Sequence, residues 1–247
     1  PTRQAKLRHA AGPRITSDNS SFGRAPVKSA DGARPPRGGR DHRLVAPAGP
    51  CYGALMESRS PVTGALFATY PEHDAAAIES KLAAAHAAQA DWARRPLAER
   101  AELLSAVARG LRDGRDRHAR LITEEMGKPI GQAEAEVDKC AWVLDHYAET
   151  AARDLAPERG PTDAESWVRF DPLGVVLAIM PWNFPYWQVF RFAAPNLVAG
   201  NAGLLKHAEN VTGCALAIEA AFMEAGVPEG VFGTLVTPVS DVPRLIG

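Results

Sequence analysis

A chain of 247 residues, of which 46% are hydrophobic and 23% charged, is long enough to bury a sizeable core and has a globular composition. Its formal net charge of −1 argues against general binding to nucleic acids, and no uninterrupted apolar run is long enough to cross a bilayer. The three cysteines, Cys51, Cys140 and Cys214, form no pattern typical of a zinc site or a disulfide framework. We therefore expect a protein of the reducing cytoplasm that binds no metal, no membrane and no nucleic acid.

Residues 1–50 differ from the rest of the chain. They are crowded with Arg, Pro, Gly and Ser, and they hold 10 Lys and Arg residues against 3 Asp and Glu residues. Such a segment buries too little apolar surface to offset its ordering entropy, which predicts a disordered basic tail. A nucleic-acid-binding arm and an organelle transit peptide are the alternatives. Without an amphipathic pattern or interleaved aromatic residues, and with Pro1 in place of an initiator Met, an unstructured or artefactual extension is favoured.

The first half of the globular sequence is predicted to be helical. Residues 60–64 indicate a turn between two short strands, of which residues 65–70 form the second. Apolar residues then recur at helical spacing, with Asp74 as a cap at the start and glycine or proline at the breaks. The predicted helices run from Asp74 through Trp92, from Pro96 to Gly114, over residues 121–126, and from Ile130 to about Asp154.

The second half changes to alternating strands and helices. Strands are predicted at residues 166–170, 175–180, 203–206 and 231–236, with helices at residues 186–199 and 212–225. The first two strands flank Asp171-Pro172-Leu173-Gly174, a strand–turn–strand signal. This alternation predicts the α/β class, with a parallel sheet covered by helices on both faces, as in dinucleotide-binding domains.

The informative motif is Pro-Trp-Asn-Phe-Pro at residues 181–185, followed by Lys-His-Ala-Glu-Asn at residues 206–210. No G-x-G-x-x-G or P-loop fingerprint is present. The motif resembles that of the aldehyde dehydrogenase superfamily, and the similarity runs from about Met56 to the C-terminus, including Glu-Glu-Met-Gly-Lys-Pro at residues 124–129. The resemblance implies a partial nucleotide-binding domain (51–153 and 173–247), the start of an oligomerisation arm (154–172) and no catalytic domain.

The resemblance assigns roles to the motif residues. Asn183 is similar to the family's amide that donates to the oxyanion formed when a thiolate attacks the aldehyde, although it could instead cap the next helix. Lys206 and Glu209 resemble the pair that binds the adenosine ribose; surface charges are the alternative. A carboxylate there favours NAD over NADP, with NADP possible. His207 replaces the usual Pro, as in one branch of semialdehyde dehydrogenases. The strand end expected to line the cofactor pocket is Ile179, Met180, Pro181 and Trp182.

Arg191 indicates the substrate class. It stands eight positions after Asn183, on the helix that borders the substrate tunnel in the family, where enzymes for apolar aldehydes carry an aromatic residue. The succinate-semialdehyde group has Arg, which can hold a carboxylate through two parallel hydrogen bonds. An arginine that extends to solvent is the alternative. The expected partner is therefore a small aldehyde with a carboxylate, most simply succinate semialdehyde; glutarate semialdehyde is also compatible.

The resemblance also implies what this chain lacks. The family's nucleophilic Cys and general-base Glu lie beyond Gly247, and Cys51, Cys140 and Cys214 do not match the nucleophile's context. We expect a truncated, inactive and poorly soluble chain from an enzyme that is a homo-oligomer at full length. A non-catalytic fragment that binds NAD or pairs with other subunits is the alternative.

Overall fold

An antiparallel hairpin opens the described part of the chain, which in this computed structural model comprises residues 54–161 and 165–246. Its strands are β1, Leu55–Arg59, and β2, Leu66–Pro71. The turn between them closes through backbone hydrogen bonds that join Ser60 to Ala65 and Gly64, which confirms the predicted strand–turn–strand. The predicted disordered tail, residues 1–50, lies outside the described residues.

The helical region, α1–α4, follows the predicted apolar spacing and caps. Asp74 caps the first helix, its Oδ1 accepting from the backbone N–H of Ala77 at 2.8 Å. Gly127 ends the third helix with a φ of 73°, a left-handed conformation that glycine adopts without a Cβ penalty. The four helices are α1 Ala75–Arg94, α2 Leu97–Asp113, α3 Arg115–Met126 and α4 Ile130–Asp154.

Helix α3 begins six residues earlier than predicted, at Arg115 instead of Leu121. Its first turn is strongly polar, so the apolar repeat is visible in the sequence only from the second turn onward. The turn is helical because Gly114 ends α2 and directly starts α3, and because His118 and Ala119 pack into the core. Tertiary burial therefore extends the helix beyond its apolar pattern.

A parallel three-stranded sheet follows the helical region. Strand β6, Ala202–His207, lies between β5, Val175–Met180, and β7, Phe232–Thr234, and pairs in parallel with both. Every residue of β6 is buried, so helices cover both faces of the sheet. On one face Leu204 packs with Ala85 of α1, whereas Leu205 belongs to the main core. The α/β class is thereby confirmed.

The intervening strand prediction was partly wrong. Residues 166–170 contain only the short strand β4, Trp167–Val168, and it pairs antiparallel with β3, Glu158–Arg159, not with β5. Glycine and proline in the connection mark a turn but do not specify a partner strand. Trp167 and Val168 are both exposed. The assignment of residues 154–172 to an oligomerisation arm stays a prediction.

Three helices complete the second half: α5 Trp187–Val198, α6 Thr212–Glu224 and α7 Val242–Ile246. A row of aromatic rings holds α5 against the sheet, because Phe190 lies between Tyr186 and Phe222, and Phe222 contacts Phe232 at 4.6 Å between centroids. Trp92 of α1 adds a hydrogen bond from Nε1 to the carbonyl of Leu197 at 2.8 Å. Helix α5 is therefore fixed at its start and its end.

Candidate functional site

The motif Pro-Trp-Asn-Phe-Pro forms a turn that leaves β5 and enters α5; we call residues 181–186 the Asn183 turn. Its backbone is held by a buried ion pair between Lys128 and Glu136, whose side chains are 7% and 2% exposed. Lys128 Nζ donates to the carbonyl of Asn183 at 3.1 Å, and Glu136 Oε1 accepts from the N–H groups of Tyr186 and Trp187 at 2.9 and 3.0 Å. The carboxylate thus caps α5 at its positive end.

Phe184 covers this ion pair. Lys128 Nζ lies 3.8 Å from the centroid of the Phe184 ring, a cation–π contact that excludes water from one side of the ammonium. The ring itself remains partly exposed. Asn183 therefore stands on a backbone segment that is anchored on both sides, by the carbonyl of Asn183 itself and by the N–H groups of the two residues that start α5.

The side chain of Asn183 is exposed, and its two ends differ in their contacts. Its Oδ1 accepts a hydrogen bond from Gln188 Nε2 at 2.9 Å. Within the described residues, no hydrogen bond uses its Nδ2. The exposed end of the amide is therefore a donor, which is the polarity that a developing oxyanion requires. Asn183 does not cap α5 through its side chain, because its Oδ1 accepts from the Gln188 side chain and not from a backbone N–H group at the helix start.

His207 connects the sheet to the Asn183 turn. Its Nε2 lies 2.9 Å from the carbonyl oxygen of Pro185, and its Nδ1 lies 2.9 Å from the N of Ala208 and 3.2 Å from the carbonyl oxygen of Met180. The tautomer with the proton on Nε2 donates to Pro185 and accepts from Ala208, so it satisfies both of the shorter contacts. Burial lowers the pKa of His207, which favours this neutral form. The sequence drew attention to His207 as a departure from the motif but offered no role for it. The structure shows a brace between β6 and the turn.

A groove of about 600 Å³ opens at the carboxyl ends of β5 and β6, where ligands bind in open parallel sheets. It brings together five of the six residues predicted to contact the cofactor; Trp182 lies in the adjoining turn, half exposed, and is not part of the lining. The lining residues are Ile179, Met180, Pro181, Lys206, His207, Ala208, Glu209, Asn210 and Val239.

Lys206 and Glu209 form a donor and an acceptor side by side in this groove. Lys206 Nζ lies 3.9 Å from Glu209 Oε1 and donates to the carbonyl of His207 at 2.9 Å. Burial lowers the pKa of Lys206, whose side chain is 3% exposed, whereas that of Glu209 is 47% exposed. Glu209 also accepts from the N–H of Val239 at 2.8 Å. The pair can donate to one ligand hydroxyl and accept from another.

Arg191 lies on the exposed side of α5, while the neighbouring Phe190 is fully buried. Trp187 is one helical turn earlier on the same side, and Lys139 Nζ lies 3.9 Å from the centroid of its ring. Among the described residues, Arg191 forms no ion pair. Its guanidinium is therefore available to an external carboxylate, and its role in substrate binding stays a prediction.

The described cysteines are poor nucleophiles. Cys140 and Cys214 are free and fully buried, and burial raises the pKa of both thiols well above its usual range. Cys51 lies outside the described residues. Within residues 54–161 and 165–246, no group of three or more His, Cys, Asp or Glu side chains could hold a metal ion. No helix of that same part has the length and apolar character needed to cross a membrane.

Sequence reasoning missed four residues of the site: Lys128, Glu136, Gln188 and His207. The sequence signal for Lys128 was its place in the motif at residues 124–129. The contact of Glu136 depends on how α4 packs against the turn, fifty positions later in the chain, so no local pattern indicates it. Gln188 is the second residue of α5, and no motif in the sequence marks it.

The chain is similar to known proteins in sequence and in fold. The family model "Aldehyde dehydrogenase family" matches residues 51–246. A Synechocystis sp. protein named Probable succinate-semialdehyde dehydrogenase, NADP(+), is 51% identical over 177 residues, 71% of this chain and 39% of that protein. Succinate semialdehyde dehydrogenase Sad, NAD(P)+, of Escherichia coli is 45% identical over 192 residues, 76% of this chain and 41% of that protein.

Solved structures show the same partial coverage. The succinic semialdehyde dehydrogenase from Streptococcus pyogenes, in complex with NADP+ as the cofactor, matches with a TM-score of 0.75 and 34% identity. The match covers 77% of this chain and 42% of that one. The chain thus spans about two-fifths of the length of the relatives it matches.

Proposed function

Because the chain belongs to the aldehyde dehydrogenase family, as its motifs predicted, we propose that it forms the nucleotide-binding part of a semialdehyde dehydrogenase. That enzyme oxidises an acidic semialdehyde, with succinate semialdehyde as the first candidate, to the carboxylate with NAD(P)+. The observation that carries the proposal is a groove containing Lys206 and Glu209 directly beside the Asn183 turn. The succinate-semialdehyde dehydrogenases among the relatives support the same activity.

The groove residues fit a nicotinamide dinucleotide. Lys206 donates to an adenosine ribose hydroxyl and Glu209 accepts from one, while Ile179 and Met180 supply apolar surface. When bound, the nicotinamide ring accepts a hydride from the substrate carbon. The half-exposed carboxylate of Glu209 repels a 2′-phosphate and favours NAD+. The relatives named for NADP(+) and NAD(P)+ support NADP+ as a second cofactor.

The proposed substrate follows from Arg191 and Asn183. Arg191 is exposed and without an ion-pair partner among the described residues, so it can hold the distal carboxylate of a short semialdehyde. Asn183 presents Nδ2 to the carbonyl oxygen, where negative charge develops when a thiolate adds to the aldehyde carbon. Asn183 lies four residues before the start of α5 and Arg191 lies in the second turn of this helix, and we assign them to opposite ends of the substrate.

The nucleophile is proposed to come from outside the described residues, because Cys140 and Cys214 are buried thiols with raised pKa values. The carboxylate that activates water for hydrolysis of the acyl-enzyme is assigned outside as well. We therefore propose that the 247-residue chain binds NAD(P)+ without turnover, and that the complete enzyme is a homo-oligomer.

The test uses the chain itself and a hybrid enzyme, in which residues 54–246 replace the matching segment of the Escherichia coli relative. We expect NAD+ and NADP+ to quench the tryptophan fluorescence of the chain as they bind to it. We expect the chain to show no turnover. We expect the hybrid enzyme to reduce NAD(P)+ with succinate semialdehyde. In the hybrid enzyme, Arg191→Met should raise KM for succinate semialdehyde at least about tenfold, since a charge-assisted bidentate pair is lost.

A neutral aldehyde of similar length is the matched control, because its KM should not respond to Arg191→Met. An inactive hybrid beside an active parent enzyme would contradict the proposed function. The second candidate is a non-catalytic fragment that binds NAD or pairs with other subunits. The burial of the Cys140 and Cys214 thiols favours this candidate, because neither can act as a nucleophile in the described structure. Nucleotide binding by the chain together with an inactive hybrid is the result expected for that candidate.

A further inference from the structure

We propose that Gln188 is a positioning residue that sets which end of the Asn183 amide faces the reacting carbonyl. The inference rests on the proposed function, because the oxyanion role of Asn183 is part of it. Gln188 Nε2 donates to Asn183 Oδ1 at 2.9 Å. This contact leaves the NH2 end of the asparagine amide without a partner among the described residues, so that end can donate to a ligand.

The backbone of Asn183 and Gln188 is held in place, so only their side chains can rotate. Lys128 holds the carbonyl of Asn183, and Glu136 holds the first N–H groups of α5. Gln188 belongs to that first turn, where its own N–H donates to the carbonyl of Phe184 at 3.2 Å. The two Cα positions are therefore fixed relative to each other, and the hydrogen bond between the side chains decides how the Asn183 amide is turned.

The orientation matters because the two ends of an amide act oppositely on an oxyanion. The NH2 end stabilises the developing negative charge, whereas the carbonyl end repels it. Donation from Gln188 to Oδ1 also polarises the Asn183 amide, which strengthens the hydrogen bond that its NH2 group donates at the other end. The oxyanion, Asn183 and Gln188 thus form one chain of hydrogen bonds that all run in the same direction.

The experiment compares variants of the hybrid enzyme. Gln188→Glu replaces the donor by a group that only accepts, so Asn183 turns its NH2 end toward it and exposes Oδ1. Gln188→Met removes the hydrogen bond at nearly constant size and leaves the amide free to rotate. We expect kcat to fall about 100-fold in Asn183→Ala and in Gln188→Glu, and about tenfold in Gln188→Met. KM for the semialdehyde and Kd for NADP+ should stay within about twofold.

A double variant tests whether Gln188 affects kcat through Asn183. If Gln188 acts through Asn183, then Gln188→Glu has no further effect on kcat in an Asn183→Ala background. Gln132→Glu is the matched control, since Gln132 is exposed on α4 and the variant adds the same charge. Its kcat should equal that of the parent hybrid. Equal and additive losses for Gln188→Glu in both backgrounds would overturn the proposal, as would an unchanged kcat in Gln188→Glu.

A second measurement on the 247-residue chain does not depend on turnover. In the nitrogen–proton NMR spectrum, the side-chain NH2 protons of Asn183 should shift downfield and exchange more slowly with water in Gln188→Glu, because they then donate to a carboxylate. Unchanged Asn183 side-chain signals would overturn the inference. An inactive hybrid together with shifted signals would count against the proposed function alone, so the two failures are distinguishable.

Discussion

Different interactions hold the helical region and the Asn183 turn in place. Helices α2, α3 and α4 meet through fully buried apolar side chains such as Ile122 and Leu144. The Asn183 turn meets α4 through the buried ion pair of Lys128 and Glu136, which reaches three backbone groups of the turn and α5. Apolar contacts are non-directional, whereas hydrogen bonds to backbone groups fix a geometry.

This difference indicates that the apolar core mainly stabilises the fold, whereas the polar contacts of the turn mainly fix the geometry of the site. The apolar core of the helices supplies stability that many side chains share, so a substitution there affects mainly the free energy of unfolding. The polar contacts around the turn fix the position of one amide, so a substitution there should affect both stability and the chemistry of the site. The predictions below separate these two consequences.

The largest effect is expected for Glu136→Ala. The substitution leaves the Lys128 ammonium buried with the Asn183 carbonyl as its main partner, and it removes the acceptor of two N–H groups at the start of α5. We expect the free energy of unfolding of the 247-residue chain to fall by about 3–5 kcal/mol. Urea denaturation followed by far-UV circular dichroism measures this. The double variant Lys128→Met with Glu136→Gln should lose less, because no unpaired charge remains buried.

Leu144→Ala is the control for this prediction. Leu144 is fully buried on α4, and its truncation should cost about 2–5 kcal/mol through lost contacts and a cavity. In the hybrid enzyme, Leu144→Ala should keep its kcat at a temperature where it is folded, whereas Glu136→Ala should lose kcat. Equal losses of kcat in the two variants would show that the site responds to global stability. The proposed separation between the stability of the core and the geometry of the site would then be wrong.

The helical region could be predicted well because its signals are local. Asp74 as a cap, Gly127 as a terminator and the apolar repeat between them place helices from adjacent residues alone. The early start of α3 at Arg115 was missed because its first turn is polar and becomes helical through burial of His118. The pairing of β4 was missed because strand partners are chosen by contacts that are distant in sequence.

The site could be predicted only in its motif residues. The family resemblance indicated Asn183, Lys206 and Glu209, and the structure places the latter two in one groove beside the turn that carries the first. The residues that hold this arrangement were not predictable. Glu136 acts through the packing of α4 against α5. Nothing in the neighbouring sequence distinguishes it from an exposed glutamate on a helix surface.

A pH dependence of stability is expected where the two regions meet. His118 Nδ1 lies 2.8 Å from Tyr186 Oη, and its Nε2 is buried without a hydrogen-bond partner among the described residues. Burial lowers the pKa of His118 from 6.5 to about 4. The unfolded chain therefore takes up this proton first, and stability is complete above about pH 6.5 and falls as the pH decreases toward about 4. The expected loss is about 3 kcal/mol.

His118→Phe tests the assignment because it keeps a ring in the same space without a titrating group. The free energy of unfolding, measured by urea denaturation between pH 7 and about pH 4, should fall less steeply in the variant. Burial also lowers the pKa of His73 to about 4, so part of the slope remains in both proteins. The difference between the two curves isolates His118, and a difference that is flat across this range would contradict the prediction.

The smallest effect is expected for the brace from the sheet to the turn. His207→Leu removes the Nε2–H donor and leaves the buried carbonyl of Pro185 without that partner, which should cost about 1–3 kcal/mol. His207→Gln can place an amide N–H at the same position and should recover most of the loss in urea denaturation. Because His207 also lines the groove, His207→Leu should weaken NAD(P)+ binding by the chain as well. If both variants match the unmodified chain in stability and in nucleotide affinity, the ion pair of Lys128 and Glu136 suffices to hold the turn. The sheet then contributes groove surface alone.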